Sequence, residues 1–241
     1  RVRVGDSGVL VVEPAKTTDK DIVISCAVHG NETAPIEICR DIIQDIIAEK
    51  QPVIHRTLFL IANPASINVG RRFVEENMNR LFSGAHSEGG ISNPERERAA
   101  KLEQYVKRFY QQVEGTNRRR YHYDLHTAIR DSKREKFAVY PFTHGKPYKK
   151  DQLLFLLACG VDTVLLNKAA TTTFSYFSVN EFGADAFTVE LGKVRPFGEN
   201  NRDSFAAAER SLRQLIAQPE PQLPNFDPQQ HFIFAEAQTI N

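Results

Sequence analysis

The stretch "DIVISCAVHGNETAPIEICRDIIQDIIAEK", residues 21–50, predicts a strand, a short polar turn and a helix in direct succession. The run "DIVISCAV" is continuously apolar and rich in β-branched residues, which is typical of a strand covered on both faces. The helix that follows has Thr33 available as a cap and Pro35 in its first turn, where proline is tolerated. Its apolar positions recur at helical spacing: Ile36, Cys39, Ile43, Ile46 and Ile47. With the next apolar run, "TLFLIANP", the stretch forms a β-α-β unit of an α/β protein.

Further strands and helices alternate along the rest of the chain. Strands are predicted at "GVLVVEP", "YHYDLH", "KFAVYP", "VDTVLLN" and "AFTVELG". Helices are predicted at "NPERERAAKLEQYVKRFYQQ", "KDQLLFLLAC" and "NRDSFAAAERSLRQLIAQ". The segment from Asn63 to Pro94 is polar and lacks periodicity, and a loop of that length inside a compact domain is usually functional.

Composition excludes several classes of protein. The 241 residues can bury the core of one large α/β domain, or of two smaller ones. With 31 basic and 30 acidic side chains, the charge balance does not point to nucleic acid or a membrane surface as a partner. The three cysteines are widely spaced with no C-x-x-C, which indicates buried thiols in a reducing compartment, the cytoplasm. No apolar stretch is long enough to span a membrane, and "RVRVGDSG" has no signal-peptide core.

The two ends of the chain indicate a piece of a longer protein. The chain begins at Arg1 without Met, and the final "HFIFAEAQTIN" resembles the start of a strand. The preceding "PEPQLPNFDP" is rich in proline and is typical of a linker. We therefore expect a main domain over residues 1–218 and, over 219–241, a linker and the start of a further, truncated segment.

His29 and Glu32 stand together where the strand "DIVISCAV" gives way to the helix. Ligands bind at the carboxyl ends of strands in open α/β sheets, so the pair could hold a metal ion there. The alternatives are a hydrogen-bonded structural histidine and an acid favoured by the helix dipole. The spacing differs from the H-E-x-x-H zinc motif.

A third potential ligand follows a second strand. In "YHYDLHT" the alternation of a strand places His122, Asp124 and His126 on one face. His29, Glu32 and His126 would leave one position open for water, which is the arrangement of catalytic zinc, and Asp124 could orient a ligating ring. The alternative is that His122 and His126 are solvated strand ends.

The segment "GRRFVEENMNRLF" concentrates cations and amides between the first two ligand segments. Guanidinium groups bind carboxylates and can stabilise a developing oxyanion. The polar residues are Arg71, Arg72, Arg80, Asn77 and Asn79. A solvated basic loop is the alternative, although the interleaved apolar residues favour a loop that packs against the core.

Glu190 lies inside the apolar strand "AFTVELG". A buried carboxylate is costly unless it has a partner or a task, and desolvation raises its pKa toward the range useful for proton transfer. The sequence leaves open whether Glu190 is salt-bridged structure or a catalytic group.

Taken together, "HGNE", "NP…RRFVEENMNRLF", "DLHT" and "VELG" resemble the desuccinylase and aspartoacylase branch of the zinc carboxypeptidase superfamily. The likeness covers nearly the whole chain with the motifs in the right order. It implies a mixed, mostly parallel central sheet with helices on both faces. Polypeptides of this family are longer at both ends, which supports the expectation of a fragment.

The resemblance also implies roles for individual residues. His29, Glu32 and His126 match the ligands of one zinc ion per chain, and Glu190 matches the general base. The other matched residues act on the substrate: Arg72 polarises the scissile carbonyl, and Asn79 with Arg80 holds a carboxylate. Arg130 and Arg195 are further candidates for a second carboxylate, from their placement beside the motifs only.

The activity implied is zinc-dependent hydrolysis of a small acidic N-acyl amino acid, N-succinyl-L-glutamate, to succinate and L-glutamate in arginine catabolism. An aspartoacylase-like deacylase or a carboxypeptidase of the same superfamily is an alternative. A non-catalytic relative that binds metal or an acidic metabolite is an alternative from another class, although the presence of all the ligands and the base speaks against it.

Overall fold

Short runs of β-branched and aromatic residues form one mixed sheet in the computed structural model, which describes residues 1–16, 18–113, 117–129, 133–229 and 231–234. The strands are β1 Val2–Val4, β2 Val9–Val12, β3 Lys20–Cys26, β4 Arg56–Ile61, β5 Arg119–Ala128, β6 Phe137–Tyr140, β7 Thr163–Leu166, β8 Asp185–Lys193 and β9 Phe232–Phe234. Their order across the sheet is β1-β2-β4-β3-β5-β8-β6-β7-β9. Only the pairs β1–β2, β2–β4 and β6–β8 are antiparallel among the described strands. The expected mixed, mostly parallel sheet is confirmed.

Helices cover both faces of this sheet. They are α1 Thr33–Ile47, α2 Pro64–Asn68, α3 Pro94–Gln111, α4 Lys150–Ala158, α5 Phe174–Phe182 and α6 Arg202–Ala217, with short 3-10 helices at Met78–Arg80 and Ala85–Gly90. Apolar residues of α1, α4 and α6 share one buried cluster, while those of α3 and α5 belong to the cluster on the other face. The buried strand residues pointing to either side complete the two cores.

The structure corrects the sequence prediction in three places. Thr33 does not cap α1: Glu32 is the cap residue and makes no side-chain cap bond, while Thr33 Oγ1 donates to the carbonyl of Arg195 at 2.7 Å. The segment between Asn63 and Pro94 is not one irregular loop, because α2 and the two 3-10 helices lie in it. Helix α5 and strand β1 were not predicted at all.

The middle of the sheet brings the candidate site together. Strands β3, β5 and β8 are adjacent and parallel, so their carboxyl ends meet at one edge. The turn after β3 is held by Gly30, where a Cβ would collide with the backbone of Ser66 and Ile67. The Gly30 N–H donates to the carbonyl of Arg72 at 3.2 Å, which ties this turn to the arginine-bearing segment.

Two further expectations concern the cysteines and the membrane. Cys26, Cys39 and Cys159 are free and buried, as predicted. Among the helices that the structure describes, none combines the length and the apolar character needed to cross a bilayer.

Candidate metal centre and active site

Three buried donors converge at the carboxyl edge of β3 and β5. Ligand atoms of His29, Glu32 and His126 all lie within 4.8 Å of one another. Glu32 bridges the two rings, with Oε1 at 2.8 Å from His29 Nδ1 and Oε2 at 2.9 Å from His126 Nδ1. His122 and His126 are 0% and 1% exposed, so the alternative of solvated strand ends is wrong.

The outer nitrogen of each ring has a partner of its own. His29 Nε2 lies 2.9 Å from Asn77 Oδ1, and His126 Nε2 lies 2.9 Å from Asp124 Oδ2. Both partners are acceptors, so each Nε2 would keep its proton when a metal ion replaces the Nδ1 contacts to Glu32 and takes the Nδ1 lone pairs. Histidines that bind metals are oriented in this way by a second hydrogen bond, and the donor set fits a metal ion.

Asn77 was recognised in the sequence only as one of several amides. Its Oδ1 also accepts from the backbone N–H of Asn79 at 3.1 Å, because Asn77 caps the 3-10 helix Met78–Arg80. The capping pattern, an Asn directly before a short helix, is a signal that could have placed this oxygen.

The pKa values of His29, Glu32 and His126 depend strongly on one another. Burial alone would raise the pKa of Glu32, but the adjacent His126 and His29 hold it well below its usual range. Burial lowers the pKa of His29. Burial also acts to lower the pKa of His126. The carboxylates of Asp124 and Glu32 on either side of the ring outweigh it and raise this pKa well above its usual range. Since a metal ion and a proton compete for the same nitrogen, cation binding at this centre displaces protons.

Glu190 is a residue of β8 and lies beside His29, Glu32 and His126. It is the direct register partner of His126 on β5. Its Oε2 is buried and has no hydrogen-bond partner among the described residues. Burial raises the pKa of Glu190 to about 7. The negative charges of Glu32 and Asp124 also raise it, whereas the positive charges of His126 and Arg72 lower it. A carboxylate in this setting can take up and release a proton near neutral pH.

The arginine-bearing segment forms one side of a cleft of about 610 Å³ over this centre. Arg72 Nη1 donates to Glu32 Oε1 at 2.8 Å. Asn79 is buried, and its Oδ1 accepts from the N–H of Phe174 at 3.1 Å, whereas Arg80 is exposed. The cleft is lined by His29, Arg72, Asn79, Arg80, His126 and Glu190, together with Val139, Asn167, Ala170, Thr171, Thr172, Thr173 and Thr188.

Sequence reasoning missed the neutral wall of this cleft. It consists of the residues just before α5 and of Thr188 on β8, and no motif marks it. Thr173 caps α5 through its side chain, which is the one local signal in this wall.

Among the described residues predicted to bind substrate, Arg195 does not line the cleft. Arg195 is exposed and takes part through its backbone carbonyl, which accepts from Thr33 Oγ1. Arg130 lies outside the described residues. The roles of both in carboxylate binding stay predictions. A separate cleft of about 780 Å³, between α3 and α5, contains none of the predicted site residues.

Comparison with known proteins gives a consistent result. Residues 18–216 match the family model described as succinylglutamate desuccinylase/aspartoacylase catalytic domain. The chain is 73% identical over 241 residues to the curated succinylglutamate desuccinylase of Idiomarina loihiensis, covering 100% of this chain and 70% of that protein. It is 53% identical over 242 residues to the enzyme of that name from Shewanella frigidimarina, with the same shares covered.

Solved structures agree with the sequence relatives. The succinylglutamate desuccinylase from Chromobacterium violaceum superposes with a TM-score of 0.89 at 41% identity, covering 96% of this chain and 71% of the other. The succinylglutamate desuccinylase from Vibrio cholerae gives a TM-score of 0.86 at 35% identity, covering 99% and 68%.

Proposed function

The chain belongs to the succinylglutamate desuccinylase/aspartoacylase catalytic domain family, and on that premise we propose that it hydrolyses the amide bond of N-succinyl-L-glutamate to give succinate and L-glutamate. One observation carries the proposal: the carboxylate of Glu190, with an unpartnered buried oxygen, faces the same cleft as His29 and His126. The relative with 73% identity over the whole chain supports the choice of substrate.

We propose zinc as the metal, held by His29, Glu32 and His126. Two imidazole nitrogens and one carboxylate with an open fourth position are the usual ligands of catalytic zinc. When bound, the ion supplies Lewis acidity that polarises a carbonyl and makes water a better nucleophile at neutral pH.

Glu190 is the proposed general base. Its pKa of about 7 in the metal-free protein lets it accept the proton of the attacking water. With a cation bound at the three ligands, Glu190 would be ionised more fully, which is the form that the reaction needs at its start. The same carboxyl group then returns the proton to the departing amine.

The proposed role of the arginines follows from the charge of the substrate, which carries three carboxylates. Arg72 faces the reacting centre and would stabilise the developing oxyanion, since fixed cations act most strongly where water is excluded. Arg80 is exposed at the cleft and, with Asn79, would hold a carboxylate. Arg130 and Arg195 remain proposed for a second carboxylate.

Several broader assignments are part of the same proposal. We assign the zinc hydrolase domain to residues 1–218 and a linker with the start of a further segment to 219–241, although β9 of that segment pairs with β7 in the same sheet. A cytoplasmic location and a place in arginine catabolism stay predictions.

A three-substrate assay tests the function. The purified full-length protein is incubated with N-succinyl-L-glutamate, N-acetyl-L-aspartate and a short peptide, and its metal content is measured in parallel. We expect turnover of the first substrate and one zinc ion per chain. Preference for N-acetyl-L-aspartate or the peptide would favour the aspartoacylase-like or carboxypeptidase alternative. Zinc binding without turnover of any substrate would favour a non-catalytic relative.

A further inference from the structure

A continuous chain of hydrogen bonds runs from α5 through the buried sheet to His126. Ser178 Oγ lies 2.7 Å from His122 Nδ1, and His122 Nε2 lies 2.8 Å from Ser25 Oγ. Ser25 donates to Asp124 Oδ1 at 2.5 Å, and Asp124 Oδ2 lies 2.9 Å from His126 Nε2. All five residues are at most 1% exposed, so water does not compete for these bonds.

The direction of every bond in this chain follows from the number of protons available. Asp124 is an acceptor on both oxygens, one toward Ser25 and the other toward His126. The Ser25 hydroxyl has a single proton and gives it to Asp124, so its oxygen accepts from the Nε2–H of His122. A neutral His122 then has a bare Nδ1, which accepts from the hydroxyl of Ser178.

The surroundings of His122 favour its neutral form. Its ring meets the ring of Phe174 edge-on at 4.7 Å, and burial lowers its pKa to about 4. Strand register supplies the contact at the middle of the chain, because Ser25 on β3 is the direct partner of Asp124 on β5.

We propose that Ser25 and His122 are positioning residues that hold Asp124 against His126. They fix Asp124 as an acceptor for the His126 Nε2–H, so that Nδ1 of His126, which lies against Glu32, is the nitrogen that would bind the metal ion. This inference rests on the proposed function only in taking His126 as a zinc ligand. His29 has no comparable support among the described residues, since a neutral amide, Asn77, accepts from its outer nitrogen.

The test compares zinc affinity among serine variants with a matched control. Metal-free protein is titrated with zinc in competition with a chromophoric chelator. We expect Ser25→Ala to raise the zinc Kd about 10-fold, the lower end of the effect of losing an outer-sphere partner. Ser178 lies two hydrogen bonds further from Asp124 than Ser25 does, so Ser178→Ala is expected to raise the zinc Kd less. Ser211→Ala removes another buried hydroxyl, which donates to the Ala158 carbonyl on a different part of the fold, and should leave the Kd unchanged.

Variants of His122 separate hydrogen bonding from packing. The amide of His122→Gln can donate to Ser25 and accept from Ser178, so we expect its zinc Kd to stay within about 3-fold of wild type, whereas His122→Phe should raise it about 10-fold. A purely structural role would give both variants the same zinc affinity.

Nitrogen NMR of the zinc-free wild-type protein shows which ring nitrogen of His122 carries the proton. This test does not depend on whether a variant folds. We expect neutral His122 at pH 7 with its proton on Nε2. A proton on Nδ1, or a Ser25→Ala Kd equal to that of Ser211→Ala, would overturn the inference while leaving the metal site intact. Wild-type protein that binds no zinc would overturn the proposed metal site and this inference together.

Discussion

His126 on β5 and Glu190 on β8 are directly paired residues of a parallel ladder. Neighbouring strands lie about 4.8 Å apart, so the proposed metal ligand and the proposed base are held at close range by backbone hydrogen bonds. The ladder shifts register between His126 and Ala128, immediately after this pair. Arg72 and Arg80, in contrast, come from the segment between strands, so the two halves of the site differ in how firmly the sheet fixes them.

Removing one histidine should remove the metal. We expect His29→Ala to lose its zinc and its activity together, because an open site with only two protein ligands remains. Zinc per chain is measured by atomic absorption after gel filtration, beside the turnover of N-succinyl-L-glutamate. The exposed His144→Ala variant serves as control and should keep both. Stoichiometric zinc with wild-type turnover in His29→Ala would refute the ligand assignment.

Arg72 and Arg80 should affect different kinetic constants. Arg72 contacts Glu32 at the centre, so Arg72→Ala is expected to lower kcat about 100-fold, the cost of losing an oxyanion donor. Arg80 lies at the exposed side of the cleft, so Arg80→Ala should raise KM about 10-fold or more with little change in kcat. Steady-state kinetics of both are compared with Arg71→Ala, an exposed neighbour that does not line the cleft. Raised KM with unchanged kcat in both variants would contradict this division.

The site shows where sequence reasoning succeeds in physical terms. His29 and Glu32 follow a buried strand, and His126 and Glu190 lie near the carboxyl ends of two others. Parallel pairing of β3, β5 and β8 is therefore enough to bring them to one edge. Local patterns of apolar residues and strand direction carry that information.

The parts that were missed depend on contacts distant in sequence or on mixed local signals. Helix α5, "FSYFSVNEF", is apolar on several sides because it packs under the cleft, so it shows no helical periodicity. Its cap, Thr173, and the left-handed Gly183 after its end are signals that could have revealed it. Thr33 was predicted as a cap from its position before the helix. Its hydroxyl instead donates to the carbonyl of Arg195 and accepts from the side chain of Asn200, which lie far along the chain.

Buried His122 should make stability depend on pH. Its folded pKa of about 4 lies below the usual 6.5, so the unfolded chain takes up the proton first. The contribution of His122 to stability is complete above pH 6.5 and falls by up to about 3 kcal/mol as the pH drops to about 4. In urea unfolding of metal-free protein between pH 7 and pH 4, wild type and the exposed control His144→Gln should both lose this amount of stability relative to His122→Gln. His122→Gln should lack this part of the loss, and parallel curves for all three would contradict the prediction.

A buried ion cluster at the opposite edge of the sheet should matter for stability and not for the metal. Asp21 accepts from Arg56 at 2.5 Å and from Arg118 at 2.6 Å, and all three side chains are at most 4% exposed. Asp21→Asn leaves two buried cations poorly compensated and should lower the free energy of unfolding by about 3–5 kcal/mol. The exposed pair of Asp19 with Arg119 gives the control, Asp19→Asn, with an expected loss below about 1 kcal/mol. Urea denaturation measures both losses of stability. A changed zinc Kd in folded Asp21→Asn would contradict the prediction that this cluster does not affect the metal site.

Glu190→Gln tests the general base most directly. The amide keeps the volume of the side chain but cannot take the proton of water, so zinc should stay bound while kcat falls about 100-fold or more. In metal-free protein the raised pKa of Glu190, about 7 against 4.5, means that stability falls as the pH rises through this window. The variant should therefore be more stable than wild type at pH 8, by up to about 3 kcal/mol, and gain little at pH 5. Zinc content, kcat and urea unfolding at both pH values are measured on the same preparations. Loss of zinc would make Glu190 a ligand, and near-normal kcat with zinc retained would make it a structural residue; either result removes it as the base.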